Sequence, residues 1–111
     1  MPPGALIERL AAFLQQAGWR VACAESCTGG LIAGALTGMP GSSAWFDRGF
    51  VTYSNAAKQE MLGVPAEVIA RHGAVSAETV SAMAIGALAQ SDAQLTVAVS
   101  GIAGPGGGSL E

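Results

Sequence analysis

Residues 19–36 read WRVACAESCTGGLIAGAL, and this stretch decides the fold. The mostly apolar run from Trp19 to Ala24 is typical of a short buried strand. A polar loop, 25–30, follows directly and ends in two glycines, which favour a tight turn. The apolar run from Leu31 to Leu36 then predicts a helix. A strand, a tight loop and a helix in this order are the repeating unit of α/β proteins.

The rest of the chain continues this alternation. Further strands are predicted at 45–53 and 95–99, and Asn55 and Ser76 are interpreted as N-caps of the helices behind them. Apolar spacing and glycine stops predict four more helices, over residues 6–17, 56–62, 65–71 and 77–89. The pattern indicates an α/β sheet with helices on both faces, and a length of 111 residues indicates a single domain, 1–111.

The composition excludes several classes of protein. Half of the residues are apolar and 12% are charged, against a typical charged share of about 25%, so a disordered chain is excluded. The net charge of −3 argues against a partner that is nucleic acid or an anionic membrane. No run of about 18 apolar residues and no leader pattern occurs, which predicts a cytoplasmic protein. The low charge predicts a homo-oligomer that buries apolar surface.

Metal and cofactor chemistry finds little support. Cys23 and Cys27 are four residues apart, and the sole histidine, His72, is distant in sequence. A zinc site needs about four ligands, so no metal is expected, and the cysteines are interpreted as small buried side chains in a reducing compartment. No cofactor is expected.

Three loops that follow predicted strands are candidates for a functional site, because ligands of open α/β sheets bind at the carboxyl ends of strands. The first loop holds Ser26, Thr28, Gly29 and Gly30. A serine in such a turn can present its hydroxyl beside backbone N–H groups that bind an anion. The alternative is an ordinary Ser/Thr cap with glycines that serve only a tight turn.

The second candidate is Lys58, the only lysine of the chain, which lies five residues after the only tyrosine, Tyr53. A cation in the first turn of a helix is disfavoured by the helix dipole. A desolvated lysine beside a serine can lose its proton near neutral pH and act as a general base. The alternative is a solvated lysine that happens to be alone.

The third candidate is the glycine-rich segment 100–108, SGIAGPGGG, whose backbone amides can approach a phosphate closely. It matches neither the P-loop nor the dinucleotide-binding fingerprint. The alternative is a flexible surface loop.

Several motifs in order resemble the CinA C-terminal domain family, whose members include nicotinamide-nucleotide amidohydrolase (NMN deamidase). The resemblance covers nearly the whole chain and is carried by AESCTGG at 24–30, GFVTYSNAAK at 49–58, LGVP at 62–65, HGAVS at 72–76 and SGIAGPGGG at 100–108. It implies a three-layer α/β/α domain with a mixed sheet. It also implies hydrolysis of the carboxamide of nicotinamide mononucleotide to nicotinate mononucleotide and ammonia.

The family's catalytic serine, tyrosine and lysine fall on Ser26, Tyr53 and Lys58. Tyr53 is expected to hydrogen-bond the serine–lysine pair. The family's phosphate-binding loop falls on 100–108. The residues expected to bind the substrate and its phosphate lie in this loop, in the turn after the first strand and at position 55. They are Thr28, Gly29, Gly30, Asn55, Ser100, Gly101, Gly104, Gly106 and Gly107.

The family pattern continues beyond Glu111, so the chain is expected to lack the final strand and helix of the domain. Two other functions therefore stay open. One is a nucleotide-binding module without hydrolysis, in which Lys58 is the counterion of a phosphate. The other is an inactive, truncated interaction subunit.

Overall fold

The computed structural model describes residues 3–101, which form three strands, five α-helices and one short 3₁₀ turn. The strands are β1 (Val21–Glu25), β2 (Phe46–Val51) and β3 (Leu95–Val99). The helices are α1 (Pro3–Ala17), α2 (Leu31–Thr37), α3 (Asn55–Leu62), α4 (Ala66–His72) and α5 (Ala77–Ala89), and the 3₁₀ turn is Ser42–Ala44.

The three strands form a parallel sheet with the order β2-β1-β3. Glu25, the last residue of β1, is in register with both Val51 and Val99, so all three strands end at the same edge. The Ser26 N–H donates to the Val99 carbonyl at 3.1 Å and the Thr52 N–H donates to the Glu25 carbonyl at 2.8 Å. The segments that follow the strands therefore start side by side.

Two apolar clusters hold helices on opposite faces of the sheet, which confirms the α/β class and its three layers. One face packs against α1 and α2 through residues that include Leu14, Val21 and Trp45. The other packs against α3, α4 and α5 through residues that include Ala24 and Met83. The mixed character of the sheet is not seen between residues 3 and 101, where all strand pairs are parallel.

The α3–α5 contact is close enough to require a glycine. A β-carbon on Gly86 of α5 would overlap the backbone carbonyl of Leu62, the last residue of α3. Backbone atoms cannot move aside as the end of a flexible side chain does, so this position is restricted to glycine.

The strand and helix boundaries differ from the sequence predictions at several points. β1 begins at Val21 because the two preceding N–H groups have partners outside the sheet. The Trp19 N–H donates to the Leu14 carbonyl at the end of α1, and the Arg20 N–H donates to the Gln94 side chain. β1 also extends to Glu25, which was expected in the loop.

β2 ends at Val51, two residues before the predicted end at Tyr53. The prediction of Asn55 as the N-cap is wrong. Ser54 caps α3, its Oγ accepting from the Ala57 N–H at 3.0 Å, and Asn55 is the first helical residue. Pro65 lies at the N-cap position of α4, one residue before its expected place, and the predicted cap at Ser76 is confirmed.

Candidate active site

Ser26 and Lys58 meet at the carboxyl edge of the sheet. Ser26 follows β1 directly and Lys58 lies on α3, and their side-chain atoms Oγ and Nζ are 3.1 Å apart. Ser26 is 6% exposed and Lys58 only 1%. A lysine is rarely so deeply buried, and the interpretation of Lys58 as a solvated surface residue is wrong.

Two backbone carbonyls fix the direction of the Lys58 amine. Nζ donates to the carbonyl of Thr52 at 3.0 Å and to that of Tyr53 at 3.2 Å. A neutral amine carries two hydrogens and one lone pair. Nζ also donates to Ser26 Oγ at 3.1 Å, and in the neutral form a lone pair of the amine can accept from the same hydroxyl. This arrangement suits transfer of the serine proton to the amine.

The surroundings of Lys58 favour its neutral form. Burial lowers the pKa of the Lys58 amine below its usual value of 10.5, and the electrostatic influence of the nearby Cys27 side chain opposes part of that effect. None of the ion pairs found between residues 3 and 101 involves Lys58. No carboxylate in that part of the chain pairs with the ammonium form, so burial decides the direction of the pKa.

Tyr53 contributes its backbone to this pair, not its phenol. The Tyr53 carbonyl accepts from Lys58 Nζ and, at 3.4 Å, from the Ser26 hydroxyl. The side chain is 69% exposed, and its hydroxyl makes no hydrogen bond within residues 3–101. The expected hydrogen bond from the phenol to the serine–lysine pair is therefore absent from this part of the chain.

Glu25 is the residue of this site that the sequence analysis missed. It is 1% exposed, and its carboxylate accepts four hydrogen bonds from the turn and α2. They come from Thr28 Oγ1 at 2.6 Å and from the backbone N–H groups of Gly30, Ile32 and Ala33 at 3.1, 2.9 and 2.8 Å. A charged residue at the end of an apolar strand, just before a helix start, was the signal available in the sequence.

The pKa values around Glu25 follow from this geometry. Burial raises the pKa of the Glu25 carboxyl, but the hydrogen bonds from Thr28 and from the amides outweigh burial and leave that pKa lowered. The Cys23 thiol lies 3.7 Å from the same carboxylate. Burial, together with the adjacent negative charge, raises the pKa of Cys23 to about 12, which keeps it a neutral thiol.

Several polar groups of the turn already have partners within the chain. The Gly29 N–H donates to the Ser26 carbonyl at 3.1 Å, and Thr28 and Gly30 donate to Glu25. Gly29 and Gly30 have φ values of 59° and 106°, which disfavour any residue with a side chain. Substrate binding by these groups stays a prediction; the Gly30 N–H and the Thr28 hydroxyl proton are bonded to Glu25, whereas the Thr28 oxygen can still accept a hydrogen bond.

The other predicted binding residues lie around the same edge. Asn55 is exposed at the start of α3. The Ser100 hydroxyl donates to the Ala74 carbonyl at 2.8 Å, and a β-carbon on Gly101 would come within 3.2 Å of Cys27 Sγ. As far as Gly101, the three segments that follow the strands start at the same edge of the sheet, and their convergence on one binding site stays a prediction. Gly104, Gly106 and Gly107 lie outside the described residues.

Two properties of residues 3–101 bear on other functions. No three His, Cys, Asp or Glu side chains there are grouped so as to hold a metal ion. No helix in that range is long and apolar enough to cross a membrane.

Known proteins resemble this chain closely in sequence. The chain is 61% identical over 102 residues to the nicotinamide-nucleotide amidohydrolase PncC of Enterobacter agglomerans, covering 92% of this chain and 62% of that protein. It is 56% identical over 106 residues to PncC of Escherichia coli K12, covering 96% of this chain and 64% of that protein. The chain thus spans less than two thirds of the length of these curated relatives.

Solved structures show the same similarity. The competence/damage inducible protein CihA of Agrobacterium tumefaciens matches with a TM-score of 0.93 and 56% identity, over 97% of this chain and 66% of that one. Protein ComA of Klebsiella pneumoniae, titled a competence damage-inducible protein A, matches with a TM-score of 0.93 and 44% identity, over 97% and 67%. The model of the CinA C-terminal domain matches residues 4–111. The chain therefore belongs to the CinA C-terminal domain family.

Proposed function

We propose that this protein hydrolyses the carboxamide of nicotinamide mononucleotide, giving nicotinate mononucleotide and ammonia. The observation that carries the proposal is the buried contact between Ser26 Oγ and Lys58 Nζ, in which two carbonyls direct the amine at the hydroxyl. The names of the relatives from Enterobacter agglomerans and Escherichia coli supply the substrate.

The first half of the reaction forms an ester. Ser26 Oγ attacks the carboxamide carbon while its proton passes to the lone pair of Lys58. The resulting Lys58 ammonium then gives that proton to the amide nitrogen as the carbon–nitrogen bond breaks. Ammonia leaves, and the nicotinoyl group stays on Ser26 as an ester.

The second half returns the enzyme to its starting state. Water attacks the ester carbon, and Lys58 takes the proton of the water. The ammonium returns a proton to Ser26 Oγ as the carbon–oxygen bond breaks, which releases nicotinate mononucleotide. No metal or organic cofactor enters either half.

Substrate recognition is assigned to the exposed groups around the pair. The exposed phenol of Tyr53 and the exposed side chain of Asn55 would contact the nucleotide, because Tyr53 precedes α3 by two residues and Asn55 begins the helix that carries Lys58. The segment 100–108 would hold the 5′-phosphate through its backbone amides. Two or more copies of the chain would associate through exposed apolar residues, among which Leu6, Phe13, Ile85 and Leu88 are prominent.

The test is release of ammonia from nicotinamide mononucleotide by the wild-type chain and by Ser26→Ala. Loss of the nucleophile should reduce kcat by several orders of magnitude, while calorimetric titration still detects nucleotide binding. Ser43→Ala is the matched control, because Ser43 is an exposed serine of the 3₁₀ turn and should leave kcat unchanged. Near-normal turnover by Ser26→Ala would overturn the assignment of the nucleophile.

A second candidate is a nucleotide-binding module that does not hydrolyse its ligand. The coverage of the relatives favours it, since about a third of their length has no counterpart in this chain. The burial of Lys58 disfavours it, since the amine faces Ser26 and two carbonyls instead of open solvent. Binding of nicotinamide mononucleotide without ammonia release by the wild-type chain would establish this candidate.

A further inference from the structure

We propose that Glu25 and Thr28 are positioning residues, which hold the turn that carries Ser26 so that its hydroxyl faces Lys58. The inference rests on the proposed role of Ser26 as a nucleophile. It assigns Thr28 to the architecture of the turn instead of to the substrate. The observation that carries it is the buried carboxylate of Glu25, which is bonded to Thr28 and to three backbone amides.

The hydrogen bonds of this carboxylate connect the end of β1 to the turn and to the start of α2. A buried negative charge is costly unless its oxygens are fully hydrogen-bonded, and no lysine or arginine pairs with Glu25 among residues 3–101. Compensation comes instead from the amides of Gly30, Ile32 and Ala33, at the start of α2. The chain's own carboxylate thus occupies the amides at which a substrate anion would otherwise bind.

Strand geometry explains how the hydrogen bonds of Glu25 fix the direction of the Ser26 side chain. Side chains alternate along a strand, so Glu25 shares its face with Val21 and points towards α2. Ser26 comes next and is directed towards Lys58 on α3, in the opposite helical layer. Tying the start of α2 to Glu25 therefore holds both ends of the intervening turn, 26–30.

The backbone of Ser26 is fixed in the same way. Its N–H donates to Val99 of the neighbouring strand, and its carbonyl accepts from the Gly29 N–H. The middle of the turn is held by Thr28, whose hydroxyl donates to Glu25 at 2.6 Å and whose carbonyl accepts from the Leu31 N–H at 3.1 Å. Loss of the hydroxyl bond to Glu25 should displace Ser26 Oγ from the amine by a fraction of an ångström or more.

The expected signature is a loss of reactivity at Ser26 that exceeds any loss of stability. A displacement of about 1 Å in a catalytic group costs on the order of 100-fold in rate. We expect Thr28→Val to lower kcat about 10- to 100-fold while KM changes by less than about threefold, since the positioning role predicts no direct contact with the substrate. Thr28→Ser keeps the hydroxyl and should restore most of the rate.

The experiment measures Ser26 directly, and so does not depend on the identity of the substrate. The 111-residue chain and its variants are treated with a fluorophosphonate, and the mass of the intact protein is followed in time. Ser26 Oγ bonds to phosphorus, fluoride leaves, and Lys58 takes the serine proton. Ammonia release from nicotinamide mononucleotide and the melting temperature are measured on the same samples.

The variants are Glu25→Gln, Thr28→Val and Thr28→Ser. Thr79→Val is the matched control, because the buried Thr79 hydroxyl also makes a 2.6 Å bond, to the Gly73 carbonyl, in another part of the fold. It should lower the melting temperature and leave the labelling rate unchanged. If Glu25→Gln fails to fold, the Thr28→Val and Thr28→Ser pair still decides the question.

Slow labelling of Glu25→Gln and Thr28→Val, with recovery in Thr28→Ser, supports the proposal. Wild-type labelling rates in both variants overturn it, as does an equal loss of labelling in Thr79→Val. A wild-type chain that fails to label Ser26 overturns it together with the nucleophile. A wild-type chain that labels Ser26 but releases no ammonia overturns the proposed substrate alone, and the labelling rates then decide on Glu25 and Thr28.

Discussion

Replacement of Lys58 by methionine is expected to remove most of the catalytic activity while nucleotide binding survives. Methionine has a similar length and fills the same buried space, but it has no amine. Ser26 Oγ then loses the group 3.1 Å away that would receive its proton. Lys58→Arg is the companion variant, because arginine keeps the positive charge but stays protonated and cannot act as a base.

The size of the effect follows from what the amine contacts. Loss of a general base costs about 10²- to 10⁴-fold in rate, which corresponds to about 3–5 kcal/mol. The Thr52 carbonyl also loses its donor, at about 1–3 kcal/mol for a buried acceptor left without a partner, whereas the Tyr53 carbonyl keeps the Ser26 hydroxyl. Removal of a buried amine offsets part of this cost, so the melting temperature should fall moderately.

The assay is initial-rate release of ammonia, measured well below the melting temperature of each variant. Calorimetric titration with nicotinamide mononucleotide on the same samples separates binding from turnover. Both Lys58→Met and Lys58→Arg should bind the nucleotide and release little ammonia. Lys58→Arg with near wild-type kcat would refute the reasoning, because only a charge and not a base would then be required at position 58.

Four further predictions test other parts of the structure. The kcat/KM of the wild-type chain should rise as pH increases through the pKa of Lys58, which lies below 10.5, because the base must be neutral. A kcat/KM that does not change over this pH range would count against Lys58 as the base. The pKa of Glu25 is lower in the folded chain than its unfolded value of about 4.3, so its ionised carboxylate stabilises the fold above that value and the stabilisation is lost as pH falls through the folded pKa. The melting temperature of Glu25→Gln should therefore change less with acid pH than that of the wild type. Gly86→Ala should destabilise the fold by more than about 2 kcal/mol in urea unfolding, since its β-carbon meets the Leu62 carbonyl; the exposed Gly4, with open space around it, is the control for the same substitution. Gly104→Val should raise KM for nicotinamide mononucleotide, and nicotinamide riboside, which lacks the phosphate, should be a poor substrate; equal KM values would argue against phosphate binding by segment 100–108.

Local signals in the sequence were sufficient for the order of the elements and for singling out Ser26 and Lys58, which the fold brings into contact. Ser26 lies in the turn after a buried strand and Lys58 is the only lysine, so both stand out by residue type and by place along the chain. Ser76 was a correct cap because its preference depends on the adjacent backbone. Asn55 was a wrong cap because Ser54, its neighbour, has an equally strong preference, and the end of β2 decides which of them begins the helix.

Tertiary structure alone decided the contacts that Ser26 and Lys58 make. The order β2-β1-β3 and its register bring the end of β2 beside Ser26, so that backbone carbonyls of Thr52 and Tyr53 reach the amine. Carbonyls are common to every residue, and no sequence pattern announces which of them a buried amine will meet. The outward direction of the Tyr53 phenol and the inward direction of Glu25 also depend on the surrounding layers. The sequence by itself thus determined which side chains are chemically able to react, since that is a property of residue type. Only the fold decided their burial, direction and partners, because those depend on elements far apart along the chain.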